Sequence, residues 1–181
     1  MVRVAVVRFP GSNCDWDAYH AAENAGAEAR FVWHRDTDLQ QADVVILPGG
    51  FSYGARFSPV MQAVQKHAAA GGAVLGICNG FQILCEAHLL PGALVRNDRL
   101  TFVSRPVWVR VERTDTFCTS AYARDTEMRI PVAHGDGCYV ADDDTLRLLE
   151  AEGRVVLRYI RGENPNGSVA DIAGVSNAAG N

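Results

Sequence analysis

No two of the five cysteines, Cys14, Cys78, Cys85, Cys118 and Cys138, form a Cys-x-x-Cys pair, and their number is odd. A disulfide framework and a zinc knuckle are therefore not expected to organise this chain. The five histidines, His20, His34, His67, His88 and His134, show no paired metal-ligand spacing, so no metal is expected. No apolar run approaches the ~20 residues that a membrane-spanning helix needs. The apolar start, MVRVAVVRFPGSNC, is short, alternates like a strand and leads to no small-residue cleavage site. A signal peptide is not expected, and a cytoplasmic location is. Positive charge is not in excess either: 17 Lys and Arg against 21 Asp and Glu give a net charge of −4, which offers no electrostatic footprint for nucleic acid. Repeats, low-complexity tracts and interdomain linkers are also lacking.

What is present is an ordinary globular composition, 48% hydrophobic and 21% charged over 181 residues, sized for a single domain over 1–181. VRVAVVRF (2–9) is β-branched and stops at Pro10-Gly11, which predicts a strand and a turn. SNCDWDAYHAAENAG predicts a helix from about Asp15 to Gly26, with glycine just past its end. EARFVW (28–33) and ADVVILPGG (42–50) predict two more strands, the latter apolar throughout, as strands buried on both faces are. Between them, TDLQQ predicts a short helical turn or a loop. Ser58-Pro59 predicts a helix start, with Ser as N-cap and Pro in the first helical position. That helix runs to Gly71-Gly72, AVLGI (73–77) is a fourth buried strand, and FQILCEAHLL predicts a helix stopped by Pro91-Gly92. Strands alternating with helices imply a mostly parallel α/β sheet covered on both faces, with ligands at the carboxyl ends of its strands.

The second half changes character. LTFVSRPVWVRVE and MRIPVAHGDGCYV predict longer, antiparallel strands. DDDTLRLLEAEG predicts a short amphipathic helix whose Asp142-Asp143-Asp144 run sits at the helix N-terminus rather than around a metal. RVVLRYI and VADIAGVSN predict further strands, with turn chemistry in ENPNGS between them.

One stretch carries chemistry. Gly76-Ile77-Cys78-Asn79-Gly80 is the G-x-S-x-G nucleophile elbow with cysteine in place of serine. Such an elbow lifts the nucleophile above the sheet, and the flanking glycines remove Cβ atoms that would collide. The following helix would aim its N-terminal N–H groups at the sulfur and favour thiolate, while the backbone N–H of Asn79 would face an oxyanion. The plain alternative is a packed thiol in a strand-to-helix turn. LPGGFSYG (47–54) places Gly49 and Gly50 at another strand end, where backbone could approach a ligand. Together the two strand ends describe a nucleophile and an oxyanion hole, a site for acyl transfer. Cys85, seven residues on, reads as a core thiol. Cys14, in the turn after the first strand, could lie near the same crevice but has no elbow around it.

GGFSYG, GICNGFQIL and PVAHGDG, with RFPGSNCDWD, NPNGS and DIAGV, resemble in order and over nearly the whole chain the class I (triad-type) glutamine amidotransferases. Among these the resemblance is to the amidotransferase subunit family of phosphoribosylformylglycinamidine synthase. That resemblance implies the class I, flavodoxin-like architecture. It implies that Cys78 attacks the side-chain amide of glutamine, ammonia leaves, and water resolves the glutamyl thioester. Gly49, Gly50 and Phe51 would hold the glutamine and the oxyanion, and Gln82 would contact glutamine; the plain alternative for Gln82 is a solvent-facing helix residue. A larger synthetase subunit would use the ammonia, with a small accessory subunit bridging the two. ATP and Mg are expected in the partner, and no cofactor in this chain.

The chain also departs from the family pattern. A C-terminal His-Pro-Glu segment carrying the general base and its orienting Glu is expected beyond Asn181. Longer loops are expected at 54/55 and near 162/163, so interruptions of the sequence at those places are anticipated. His134 and Asp136 have a His-x-acid spacing and stand as a lesser candidate for the base, or as residues near an ammonia exit or a partner surface. A noncatalytic scaffold that keeps the fold and docks the synthetase is the alternative function. A cysteine hydrolase or redox-responsive chaperone with an elbow cysteine is a third.

Overall fold

The computed structural model describes every residue, Met1–Asn181. The chain forms two compact units, Met1–Leu89 with Asn181, and Leu90–Gly180.

The first unit alternates strand and helix as the hydrophobic pattern dictates. Its elements are β1 (Arg3–Arg8), α1 (Asp15–Asn24), β2 (Glu28–Trp33), β3 (Val44–Leu47), a 3-10 turn (Ala55–Phe57), α2 (Val60–Ala69), β4 (Ala73–Gly76) and α3 (Asn79–Glu86). The four strands make one parallel sheet in the order β2-β1-β3-β4. Alternation along β1 and β3 supplies both faces. Val4 and Val6 of β1, with Val44 and Ile46 of β3, pack with Ala18 and Ala22 of α1. Val45 and Leu47 of β3 point the other way, where Leu47 meets α3 at Gly80. The small alanines of α1 let that helix lie close on the sheet. Arg8 at the end of β1 pairs with the buried Asp15 in the first turn of α1, and its guanidinium lies 4.2 Å from the Phe31 ring centroid. The backbone N–H of Val74, in β4, donates to Asn181 O at 2.7 Å.

All four helices of the chain, including α4 (Asp143–Ala151), end in the same double hydrogen bond, residue C″ to C3 and C′ to C2. In α1, α2 and α4 the C′ residue is Gly26, Gly71 or Gly153, each with positive φ. α3 is the exception. It ends at Glu86, well before Pro91-Gly92, so the expected stop is corrected: His88, at φ 57°, is the C′ residue, with His88 N–H bonded to Cys85 O and Leu89 N–H to Leu84 O. His88 is thus an exposed cap, not a residue on the helix. The start of α2 also differs in part. Ser58 is extended and Pro59 is helical, as expected. The Ser58 hydroxyl, however, does not cap the helix and instead pairs with His34 Nδ1 at 3.1 Å.

The second unit holds β5 (Ala93–Val95), β6 (Val103–Val111), β7 (Glu127–His134), β8 (Cys138–Val140), α4, β9 (Val155–Tyr159) and β10 (Ile172–Val175). An antiparallel sheet runs β10-β9-β6-β7, and β5 pairs with β8. Met128, Ile130 and Val132 of β7 pack on Val107, Val109 and Tyr159, while the alternate β7 residues are exposed. The expected MRIPVAHGDGCYV strand is therefore two strands, split at Gly135-Asp136-Gly137. β5 was not anticipated, because three residues are too few to show a period. Asp142 caps α4 by accepting the Thr145 N–H at 2.7 Å, which holds its carboxyl below the usual range. The chain crosses 54/55 and 162/163 in tight turns: Phe57 N–H bonds to Gly54 O at 3.0 Å, and Glu163 N–H to Ile160 O at 3.1 Å. No helix is long and apolar enough to cross a membrane.

The left-handed cap at His88 makes a test. His88→Gly removes a strained Cβ and is expected to stabilise the protein by up to about 1 kcal/mol in urea unfolding, since only glycine adopts this conformation without cost. A lower midpoint in the variant would show that the imidazole makes a contact that outweighs the strain.

Candidate functional site

β4 ends at Gly76 and α3 begins at Asn79, and between them Cys78 takes φ 54°, ψ −111°. L-residues avoid this region, and holding one there costs about 1–3 kcal/mol. The neighbours explain how it is held. A Cβ on Gly80 would lie 1.9 Å from the carbonyl oxygen of Leu47, and one on Gly76 would lie 2.6 Å from Leu84 Cδ1 and 2.7 Å from the carbonyl carbon of Gly80. Strand and helix can close this tightly only because both side chains are missing. Ile77 N–H bonds to Leu47 O at 3.0 Å, Gly80 N–H to Ile77 O at 2.9 Å, and Gln82 N–H to Cys78 O at 3.1 Å. Cys78 is exposed at the N-terminal end of α3, where the first helical N–H groups have no intrahelical acceptor. It is a displayed thiol rather than a packed one. Cys85 has the opposite character: it is buried, and desolvation pushes its thiol up to about 12.

The glycine loop after β3 is laced to the loop after β1. Asn13 and Cys14 N–H both bond to Gly49 O at 3.1 Å, and Phe51 N–H bonds to Gly11 O at 2.8 Å. These flank an antiparallel bridge between Ser12 and Gly50, and they leave the N–H of Gly50 outside the ladder. A Cβ on Gly50 would lie 2.3 Å from Gly11 O, so the two loops touch backbone to backbone. Gly49 separates two thiols: a Cβ there would lie 3.3 Å from Cys14 Sγ and 3.5 Å from Cys78 Cβ. Cys14 therefore lies beside Cys78. Burial, with Asp17 and Asp15 adding to it, raises its thiol above the ordinary value.

Of the expected site residues, Cys78, Gly49, Gly50, Phe51, Asn79 and Gln82 lie on these adjoining loops and on α3. Two details add to the expectation. Phe51 N–H is committed to Gly11 O, while the N–H of Gly50 stays outside the ladder, and the Phe51 ring is 54% exposed. Asn79, considered only for its backbone, turns out to matter through its buried side chain. Its Oδ1 accepts from Ser52 N–H at 2.9 Å and its Nδ2 donates to Gln82 Oε1 at 3.0 Å. Ser52 was missed as well: it is buried and its hydroxyl has no hydrogen-bond partner. Nothing in a one-dimensional pattern signals either contact.

His134 and Asp136 lie in the second unit and do not form a dyad. Asp136 pairs with Arg96 at 3.7 Å, and both ring nitrogens of His134 are buried without partners. Burial lowers the affinity of that ring for a proton. The candidate general base is therefore corrected to a buried neutral imidazole. The motifs around it have a structural purpose. Asn97 accepts the Gly137 N–H at 3.0 Å and donates to Thr101 O and His134 O, while Asn166 donates to Gly137 O and to the Tyr159 hydroxyl. The AHGDG and NPNGS segments are thus two sides of one buried hydrogen-bond network. No group of three or more His, Cys, Asp or Glu is arranged to hold a metal ion.

Comparison with known proteins places this geometry. A family described as "CobB/CobQ-like glutamine amidotransferase domain" matches residues 1–181. A phosphoribosylformylglycinamidine synthase subunit PurQ from Rubrobacter xylanophilus is 61% identical, over 96% of this chain and 82% of the relative. The protein of the same name from Streptomyces avermitilis is 54% identical, over 99% of this chain and 83% of the relative. Among solved structures, a chain of PurLQS from Thermotoga maritima superposes with a TM-score of 0.89 at 44% identity, covering 99% of this chain and 84% of that one.

Two outcomes test the site's polar accounting. Ser52→Ala removes a buried hydroxyl with no partner, so chemical denaturation should find the variant as stable as the parent or about 1 kcal/mol more stable; a clear loss would reveal a bond the hydroxyl makes. For His134, burial depresses the folded value below the ordinary 6.5. As pH falls below 6.5 the unfolded chain binds a proton that the folded ring refuses, so stability declines until the folded value is reached. His134→Phe should flatten the fall in stability as pH drops below about 6.5, whatever its offset in absolute stability. Parallel profiles would show that this ring does not titrate.

Proposed function

This chain belongs to the CobB/CobQ-like glutamine amidotransferase family, and from that premise we propose that it is the glutaminase subunit of phosphoribosylformylglycinamidine synthase. The observation that carries the assignment is the exposed, strained Cys78 at a glycine-cleared elbow beside the Gly49–Gly50 loop. A scaffold that only docked a partner would have no use for a nucleophile held against about 1–3 kcal/mol of backbone strain.

In the proposed reaction Cys78 Sγ attacks the side-chain amide carbon of glutamine, and the carbonyl oxygen becomes an oxyanion. The N–H groups of Asn79 and Gly50 are the assigned donors to that oxyanion. The C–N bond breaks, the amide nitrogen leaves with an added proton as ammonia, and a glutamyl thioester remains. Water attacks the thioester, releasing glutamate and the thiol. Gln82 is assigned a contact with the glutamine. The proton acceptor is assigned to the family's His–Glu pair rather than to His134, whose ring is buried and disfavours protonation.

The ammonia is consumed by a larger synthetase subunit, with a small accessory subunit completing the complex. The name PurLQS given to the Thermotoga maritima assembly supports partner subunits. ATP and Mg belong to the synthetase step, and this chain needs neither for amide hydrolysis.

A diazo or chloro ketone that mimics glutamine should label Cys78, as located by peptide mass. Cys78→Ser should abolish labelling and lower glutaminase turnover by at least about a thousandfold. An unlabelled Cys78 in the intact complex would instead favour the docking scaffold.

A further inference from the structure

We propose that Asn79 is a positioning residue whose side-chain amide sets the polarity of Gln82, so that Gln82 offers its NH2 group to an acceptor oxygen of the bound glutamine, and at the same time fixes the glycine loop to the elbow. This rests on the glutaminase assignment above.

The polarity follows from one backbone group. Ser52 N–H lies 2.9 Å from the Asn79 amide, and a backbone N–H can only donate. The Asn79 atom facing it is therefore oxygen. The other end of the amide, Nδ2, then faces Gln82 at 3.0 Å and can only donate. Gln82 must answer with Oε1, which turns its own Nε2 away from Asn79. Reversing either amide would set donor against donor or acceptor against acceptor. Asn79 is 6% exposed, so water cannot readily repair such a mismatch. A glutamine side chain in solvent presents either end; this one is held to one.

A second consequence concerns spacing. The backbone N–H of Asn79 and that of Gly50 are the assigned oxyanion donors. Ser52 is two residues from Gly50, and its N–H is tied to the Asn79 side chain. One side chain thus couples the strand-end loop to the first residue of α3. Displacements of about 1 Å in such donors cost up to about a hundredfold in rate.

The test uses the intact synthase complex and two readouts: kcat and KM for glutamine, and the rate of Cys78 alkylation by iodoacetamide across pH. Alkylation reports on the thiol and the elbow and does not need the Gln82 amide. Asn79→Asp keeps an acceptor for Ser52 N–H but faces Gln82 with a second oxygen, so the Gln82 amide turns over. KM should rise about tenfold or more with kcat largely retained. Asn79→Leu removes both bonds, and kcat should also fall about tenfold or more while alkylation stays near the parent's rate. Gln82→Glu keeps the oxygen for Asn79 but replaces the outward donor with an acceptor, so its KM should exceed that of Gln82→Met. Asn79→Leu with the parent's kcat and KM, or Gln82→Glu binding glutamine as well as the parent, would overturn the proposal. So would alkylation that falls in step with kcat, which marks a merely structural role. If the unmodified complex releases no ammonia from glutamine although Cys78 alkylates, the glutaminase assignment falls and this inference with it. Ammonia release by the parent without the variant pattern overturns the role of Asn79 alone.

Discussion

The contact on which the site depends is between Gly80 and the carbonyl oxygen of Leu47, where a single added carbon would lie 1.9 Å from oxygen. Nothing but hydrogen fits there. Because α3 can approach β3 so closely, the link from β4 to α3 is only two residues, Ile77 and Cys78, and Cys78 has to take a left-handed conformation to turn the chain. The same closeness that strains Cys78 also displays it. A longer link would relieve the strain and let the thiol sink toward the sheet, so strain and exposure have one cause.

Support for this arrangement comes in layers. Leu47 O, which crowds Gly80, also accepts the N–H of Ile77, so β3 holds the elbow from beneath. The loop that continues from β3 is in turn held by the loop after β1, through three backbone hydrogen bonds at Gly49 and Phe51. Finally, Asn79 reaches from the elbow helix to Ser52 and ties the elbow to that same loop. The glycine loop after β3 is thus the hub to which both the loop after β1 and the elbow are fixed. Bonds on both sides let short segments hold a geometry that loops ordinarily do not.

Much of this was legible in the sequence, for a physical reason. Buried parallel strands announce themselves as apolar runs, and glycines at strand ends mark close approaches; so β1, β3, the elbow and the crevice around Gly49 could be read directly, whereas β4, expected to be buried, is a half-buried edge strand. What could not be read were contacts between side chains distant in sequence. The Asn79–Ser52 bond spans 27 residues, and an asparagine in a helix's first turn gives no sign of its partner. The bond from Phe51 N–H to Gly11 O is likewise invisible in one dimension. The end of α3 was misjudged because proline is a strong stop signal, whereas a left-handed histidine cap breaks the usual preference for glycine.

His134 shows the limit of motif spacing most plainly. Its His-x-acid pattern was compatible with a base and its orienting partner, yet the two side chains go to different ends, Asp136 to Arg96 while both imidazole nitrogens are buried without partners. The backbone of that segment is what the fold uses: His134 O and both polar groups of Gly137 are held by Asn97 and Asn166, the latter fully buried. Segments such as AHGDG and NPNGS therefore serve the architecture of this unit. A buried asparagine that satisfies two backbone groups at once is as hard to replace as a nucleophile, since its loss leaves those groups unpaired at about 1–3 kcal/mol each. Motifs spread along this chain mix residues displayed to solvent with residues that satisfy buried polar groups. Only the positions of the side-chain atoms separate them: Cys78 is turned outward against strain, while Asn166 and the His134 ring are turned inward.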